Sequence, residues 1–114
     1  MNIQQTEFDG VTVLAPSGRI DTTTSGAVEE AVKRAVDLGA RLLVVDFSSV
    51  EYISSAGLRV FLVLAKRMRD LRGRLVLCGM PEPVRQVFRL AGFMPLFRVE
   101  PSQEAAMARI VTPS

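Results

Sequence analysis

The sequence predicts an α/β fold: a mixed β-sheet opened by an N-terminal hairpin, with about four helices packed on it. Three observations carry this. Asp9-Gly10 lies between Phe8 and Val11-Thr12-Val13-Leu14, a hairpin signal. Two short runs, Leu42 to Phe47 and Leu75 to Cys78, are apolar, rich in branched or aliphatic residues and too short for helices. Elsewhere apolar residues recur at spacings of three and four, the signature of one helix face. Strands that alternate with helices after a hairpin imply a layered α/β sandwich.

The elements follow in order. Thr6 to Pro16 forms two antiparallel strands around the Asp9-Gly10 turn. From Thr24 to Leu38, Val28, Ala31, Val32, Ala35 and Leu38 share a face, so this is an amphipathic helix closed by Gly39. Any residue of Asp21-Thr22-Thr23-Thr24-Ser25 can cap its start, although Ala27 stands where a capping box needs Glu or Gln. Leu42 to Phe47 reads as a central strand buried on both faces. A second helix begins near Ser55 and runs through Leu58, Phe61, Leu62, Ala65 and Met68 to Gly73. Leu75 to Cys78 is a strand, Pro83 to Leu90 a short helix opened by Pro, Phe97 to Val99 a last strand and Gln103 to Ile110 a closing helix. Val111 to Ser114 is expected to fray.

Length fits one domain, residues 1–114, with a single core. Fourteen basic residues, twelve of them Arg, face twelve acidic ones, and a net charge of +2 is no argument for nucleic acid. Lys66, Arg67, Arg69, Arg72 and Arg74 cluster at the end of the second helix, where cations complement the helix dipole; the stretch has no interleaved aromatics. The chain has no His and one Cys, which removes a zinc cage, a disulfide framework and His-based catalysis within one chain. A carboxylate-only metal site survives that count. No phosphate-binding glycine loop occurs, and no cofactor is expected. Met1 to Gly10 lacks the character of a signal peptide, and no apolar run reaches the roughly 18 residues of a membrane span, so a cytoplasmic protein without membrane contact is expected.

Ser54-Ser55-Ala56-Gly57 lies between a strand region and a helix, where α/β folds place their sites. A serine there caps the helix, and the positive helix end tolerates a phosphate on Ser55. Phosphorylation would add up to two charges to a neutral spot and so switch binding without unfolding the domain. A nucleophilic serine does not fit, because the string is not G-x-S-x-G and no His can take its proton. Asp21 reads either as a turn residue or as an exposed carboxylate beside Ser55; Asp46 reads as an Asx-turn partner organising Ser48 and Ser49. Phe93, Met94 and Phe97 form an apolar loop expected to be buried under the last helix, and Cys78 an inert strand residue.

The string from Val45 to Arg59, centred on Ser54-Ser55-Ala56-Gly57, resembles the signature of the STAS domain found in bacterial anti-sigma factor antagonists. Gly18-Arg19-Ile20-Asp21 resembles the family's Gly-x-Leu/Ile-Asp, and Leu90 to Phe97 its late Leu-x-Gly-x-x-x-x-Phe segment, so the likeness covers nearly the whole chain. It implies a non-enzymatic partner switch. The unmodified protein binds an anti-sigma factor, often itself a serine kinase, and frees a sigma factor; phosphorylation ends the binding and a phosphatase restores it. Aligning Gly57 with the Gly of the family's Asp-Ser-Ser-Gly places the acceptor on Ser55. Two residues depart from the pattern: Ser54 replaces Asp, which makes Ser54 a rival acceptor and removes a charge, and Ala56 replaces the second Ser. The resemblance carries Asp21, Thr22, Ser54, Ser55, Ala56, Gly57, Leu58 and Arg59 over as the partner-facing surface, on a monomer or weak homodimer. The exchange at Ser54 also motivates an alternative: a STAS scaffold or regulator of another signalling enzyme, such as a phosphatase, a cyclase or a signalling complex, without phosphorylation.

Overall fold

The structure, a computed structural model, describes residues 1–112. In chain order its elements are β1 (Asn2–Phe8), β2 (Val11–Ile20), α1 (Ser25–Asp37), β3 (Leu42–Asp46), β4 (Val50–Ile53), α2 (Ser55–Asp70), β5 (Arg74–Cys78), α3 (Glu82–Leu90), a 3₁₀ turn (Met94–Leu96), β6 (Arg98–Glu100) and α4 (Gln103–Ile110). The predicted fold class and helices are present, their ends within a residue of the expected positions except for α2, which ends at Asp70 rather than Gly73.

At the β1–β2 turn, Asp9 and Gly10 have φ of 52° and 80°. A two-residue hairpin turn needs this left-handed pair, which Asp and Gly adopt at little cost. The hairpin begins at Asn2 rather than at Thr6, pairing Asn2 with Ser17. Its first strand is almost wholly exposed and polar, so it is held by ladder bonds to β2 and leaves no alternating apolar signature.

The sheet runs β1-β2-β3-β5-β6, antiparallel only at β1–β2. As expected, β3 is central and buried. Leu43 and Val45 point to one face, where α1, α2 and α3 pack, and Val44 points to the other, where Ala106 and Ile110 of α4 pack with Val11, Val13 and Val76. On the three-helix face Phe47 lies 5.0 Å from Phe61 and 5.9 Å from Phe88 between ring centroids. Truncating such a buried ring to Ala costs about 3–5 kcal/mol, because a cavity is left as well as lost transfer energy.

Three further details differ from the sequence expectation. Val50–Ile53 is a strand of its own, β4, and pairs in parallel with the second half of β2, while the first half of β2 pairs with β3. The Phe93-Met94-Phe97 loop does not lie under α4: its side chains are half-buried against the three-helix face, with Phe97 edge-on to Phe88 at 5.5 Å. The reason is topological, since α4 lies across the opposite face of the sheet. Finally, Thr112 is tied down by hydrogen bonds, while Val111 is exposed. The Thr112 hydroxyl donates to the Ala108 carbonyl, and Arg74 donates to the carbonyls of Ile110 and Thr112. The other residues expected to fray, Pro113 and Ser114, lie outside the described residues. No helix among the described residues is long and apolar enough to cross a membrane.

Candidate functional site

Two neighbouring strands deliver the site. β2 and β4 run parallel, with Ile20 opposite Ile53 and a register shift between Gly18 and Arg19. Their carboxyl ends therefore emerge together, one into the Asp21 turn and α1, the other into α2. The Ser54 N–H donates to the Ile20 carbonyl at 2.8 Å and fastens the two exits to each other. Beside them the Arg19 guanidinium stacks 4.4 Å over the Tyr52 ring.

At the α2 start the two serines differ. Ser54 is the N-cap residue, with φ −91° and ψ 174°, and its hydroxyl accepts the Gly57 N–H at 3.3 Å. Ser55 is the first helical residue; it is exposed, and its hydroxyl has no hydrogen-bond partner among the described residues. The cap that the sequence left on Ser55 thus belongs to Ser54, one residue earlier. Because the first helical N–H groups lack intrahelical partners, those of Ser55 and Ala56 are unpaired among the described residues, and no acidic residue lies in the first turn. Partial positive charge gathers at this helix end.

Gly57 explains how α2 comes so close. A Cβ there would sit 2.7 Å from Ile20 Cγ2 and 2.8 Å from Ile53 Cγ1, closer than carbon atoms tolerate. Leu58 is also buried. These two residues therefore offer no exposed side chain to a partner, unlike Ser55 and Arg59, which are exposed, and Ser54 and Ala56, which are half-buried.

The Asp21 turn holds itself together. The Asp21 carboxylate accepts the Thr23 hydroxyl at 2.7 Å, the Thr23 N–H at 3.0 Å and the Thr24 N–H at 3.2 Å. The Thr23 hydroxyl does most to hold its carboxyl below the ordinary 3.8, with the backbone N–H groups adding to it. The turn reading of Asp21 describes these bonds; the residue is half-buried and does not line the depression around Ser55. Thr22 is exposed. Two residues of α1 that sequence reasoning missed, Ser25 and Glu29, line a shallow depression of about 390 Å³ with Ser55, Ala56 and Arg59. Only the packing of α1 on α2, marked by the Asp37–Arg67 ion pair, brings them there.

Elsewhere, Asp46 accepts the Ser48 N–H at 2.9 Å, the expected Asx turn, and also the Gln103 side-chain amide. Cys78 is fully buried, and burial, with the nearby Asp46 charge adding to it, pushes its thiol up to about 12. Among the described residues no three His, Cys, Asp or Glu side chains gather as a metal site.

The chain as a whole has counterparts among known proteins. The family model for the STAS domain matches residues 2–106, most of the chain. The chain belongs to the STAS domain family. This STAS protein is 38% identical over 112 residues to BtrV of Bordetella bronchiseptica, a candidate anti-sigma factor antagonist, covering 98% of this chain and 97% of that one. An anti-sigma factor antagonist from Mycobacterium paratuberculosis has a TM-score of 0.90 at 26% identity, over 97% of this STAS chain and 94% of that one. The fold is shared by the anti-sigma factor antagonist SpoIIAA of Bacillus. Its unphosphorylated form has a TM-score of 0.81 at 21% identity, covering 96% of both chains. The phosphorylated form has 0.73 at 20% identity, covering 96% and 99%.

Proposed function

We propose that this STAS protein is an anti-sigma factor antagonist of the bacterial cytoplasm, acting by binding rather than catalysis. In the unmodified state it binds an anti-sigma factor with serine-kinase activity and so frees a sigma factor. The partner-facing surface comprises Asp21, Thr22, Ser54, Ser55, Ala56 and Arg59, extended by Ser25 and Glu29. Gly57 and Leu58 serve it from beneath, by letting α2 approach the strand ends. Phosphorylation of Ser55 ends the binding and a phosphatase reverses it.

One observation carries the choice of acceptor: the Ser55 hydroxyl is exposed and unbonded, while that of Ser54 is engaged as a cap. A kinase can reach the first without breaking a bond of the fold. The phosphate would meet the N–H groups of Ser55 and Ala56 and the Arg59 guanidinium four residues on, so the helix accommodates it. A partner shaped for a neutral hydroxyl would instead face two added charges beside Glu29. BtrV and the Mycobacterium paratuberculosis protein, both named for antagonism of anti-sigma factors, support the partner class.

The test is a pulldown from lysate of the native organism with wild-type protein and Ser55→Asp as parallel baits, bound proteins being identified by mass. Retention of an anti-sigma-type kinase by wild type and its loss with Ser55→Asp are expected. If both baits retain the same partners and none is such a kinase, the scaffold reading replaces this one.

A further inference from the structure

The far end of α2 carries a second feature, about 20 Å from Ser55 at 1.5 Å per residue. Arg69 and Arg72 from the end of the helix, Arg74 from β5 and Arg98 from β6 converge on one basin of about 340 Å³. Its apolar lining includes Met68 and Phe97, and Leu96, 62% exposed, stands at its side. Among the described residues no carboxylate lines it. Lys33, Arg34, Arg67 and Arg89 all have ion-pair partners among the described residues, whereas none of these four arginines does. Arg74 is also held by the carbonyls of Ile110 and Thr112, which orient its guanidinium.

The helix dipole accounts for cations at the end of α2, but not for Arg98, which arrives from a different strand together with Phe97. Arg72 adds a further mark. It has φ 58° directly after α2, the left-handed position that helices ordinarily give to Gly. The Lys66 to Arg74 stretch has no interleaved aromatics of its own, and the fold supplies one in Phe97.

We propose that this basin docks an acidic peptide segment of a protein partner, with carboxylates on the four guanidiniums and an apolar side chain against Leu96 and Phe97. Charge complementarity selects an anion, and the exposed apolar wall selects a peptide over a bare polyanion, which would leave that wall wet. The site is separate from the Ser55 switch and stands whether or not the switch operates.

The test is fluorescence anisotropy on the full chain with a short labelled peptide of Glu and Asp residues around two Leu, alongside labelled polyphosphate. Saturable peptide binding is expected, weakening as salt rises. Arg98→Gln and Arg72→Gly should each weaken it at least fivefold, and Ser55→Asp should leave it within twofold. Arg72→Gly relieves the left-handed strain, so lost binding there cannot be charged to misfolding. Absence of saturable binding, unchanged affinity in both arginine variants, or equal affinity for polyphosphate would overturn the proposal.

Discussion

The Ser54 hydroxyl accepts the Gly57 N–H at 3.3 Å, and this bond makes two adjacent serines unequal. One caps the helix, and the hydroxyl of the other has no partner among the described residues. Ser54→Ala should therefore cost about 1 kcal/mol of stability through the lost cap, while Ser55→Ala stays within about 0.5 kcal/mol of wild type. Urea unfolding of the two variants measures this; equal losses would mean that Ser55 shares the capping.

Gly57 and Gly26 should respond to alanine with opposite signs. At Gly57 the added methyl meets Ile20 and Ile53 at 2.7 and 2.8 Å, so Gly57→Ala should destabilise by about 1–3 kcal/mol. At Gly26, exposed in the first turn of α1, it meets nothing within 4 Å, so Gly26→Ala should stabilise by about 0.5 kcal/mol. Thermal melts of both variants decide it, and stabilisation by Gly57→Ala would contradict the close approach.

Acid should weaken the fold in part through Asp21 and Asp37. Both carboxyls are held below 3.8 in the folded state, Asp21 chiefly by the Thr23 hydroxyl and Asp37 chiefly by the Arg67 guanidinium. A depressed folded pKa means that the unfolded chain binds more protons in the window below the ordinary value, so stability there rises with pH. Their contribution is present above about pH 4–5 and is lost as pH falls through the folded values. Urea midpoints should drop less steeply between about pH 5 and 3 in Asp21→Asn/Asp37→Asn than in wild type. An unchanged slope would contradict this.

Cys78 should be silent toward thiol reagents. With its thiol pushed up to about 12, only about one molecule in ten thousand is thiolate at pH 8, and the side chain is fully buried. Iodoacetamide at pH 8 should leave the native protein unlabelled and label it fully in denaturant. Fast labelling of the native protein would show that the β5 end opens.

Much of this architecture was legible in the sequence, for identifiable reasons. Asp9-Gly10 fixes its own turn, Val28, Val32 and Ala35 declare a helix face, and Leu42 to Phe47 can only be an inner strand; Leu38, expected on that face, is exposed just past the end of α1, and Val36 is buried there instead. The start of α2 was legible too, because Ser54-Ser55-Ala56-Gly57 is a capping sequence directly before the apolar spacing of Leu58, Phe61 and Leu62. What escaped depends on distant partners or on one-residue offsets. Strand β4 shows no alternation to be seen, since Glu51 and Tyr52 are both exposed, and exists because the second half of β2 is there to pair with it. Ser54 and Ser55 are equally good caps on paper, and only the Gly57 N–H separates them. Ser25 and Glu29 at the site, and Arg98 beside Arg72, are contacts between segments that no local pattern encodes.

The central claim is that Ser55 is the switch. Its most direct test incubates the protein with ATP and the anti-sigma kinase captured by the unmodified bait, maps the phosphate by mass spectrometry, and measures kinase binding before and after. A single phosphate on Ser55 is predicted, retained in Ser54→Ala, absent in Ser55→Ala and accompanied by loss of binding. Phosphate on Ser54 instead, or a Ser55-phosphorylated protein that still binds its kinase with undiminished affinity, would contradict the account.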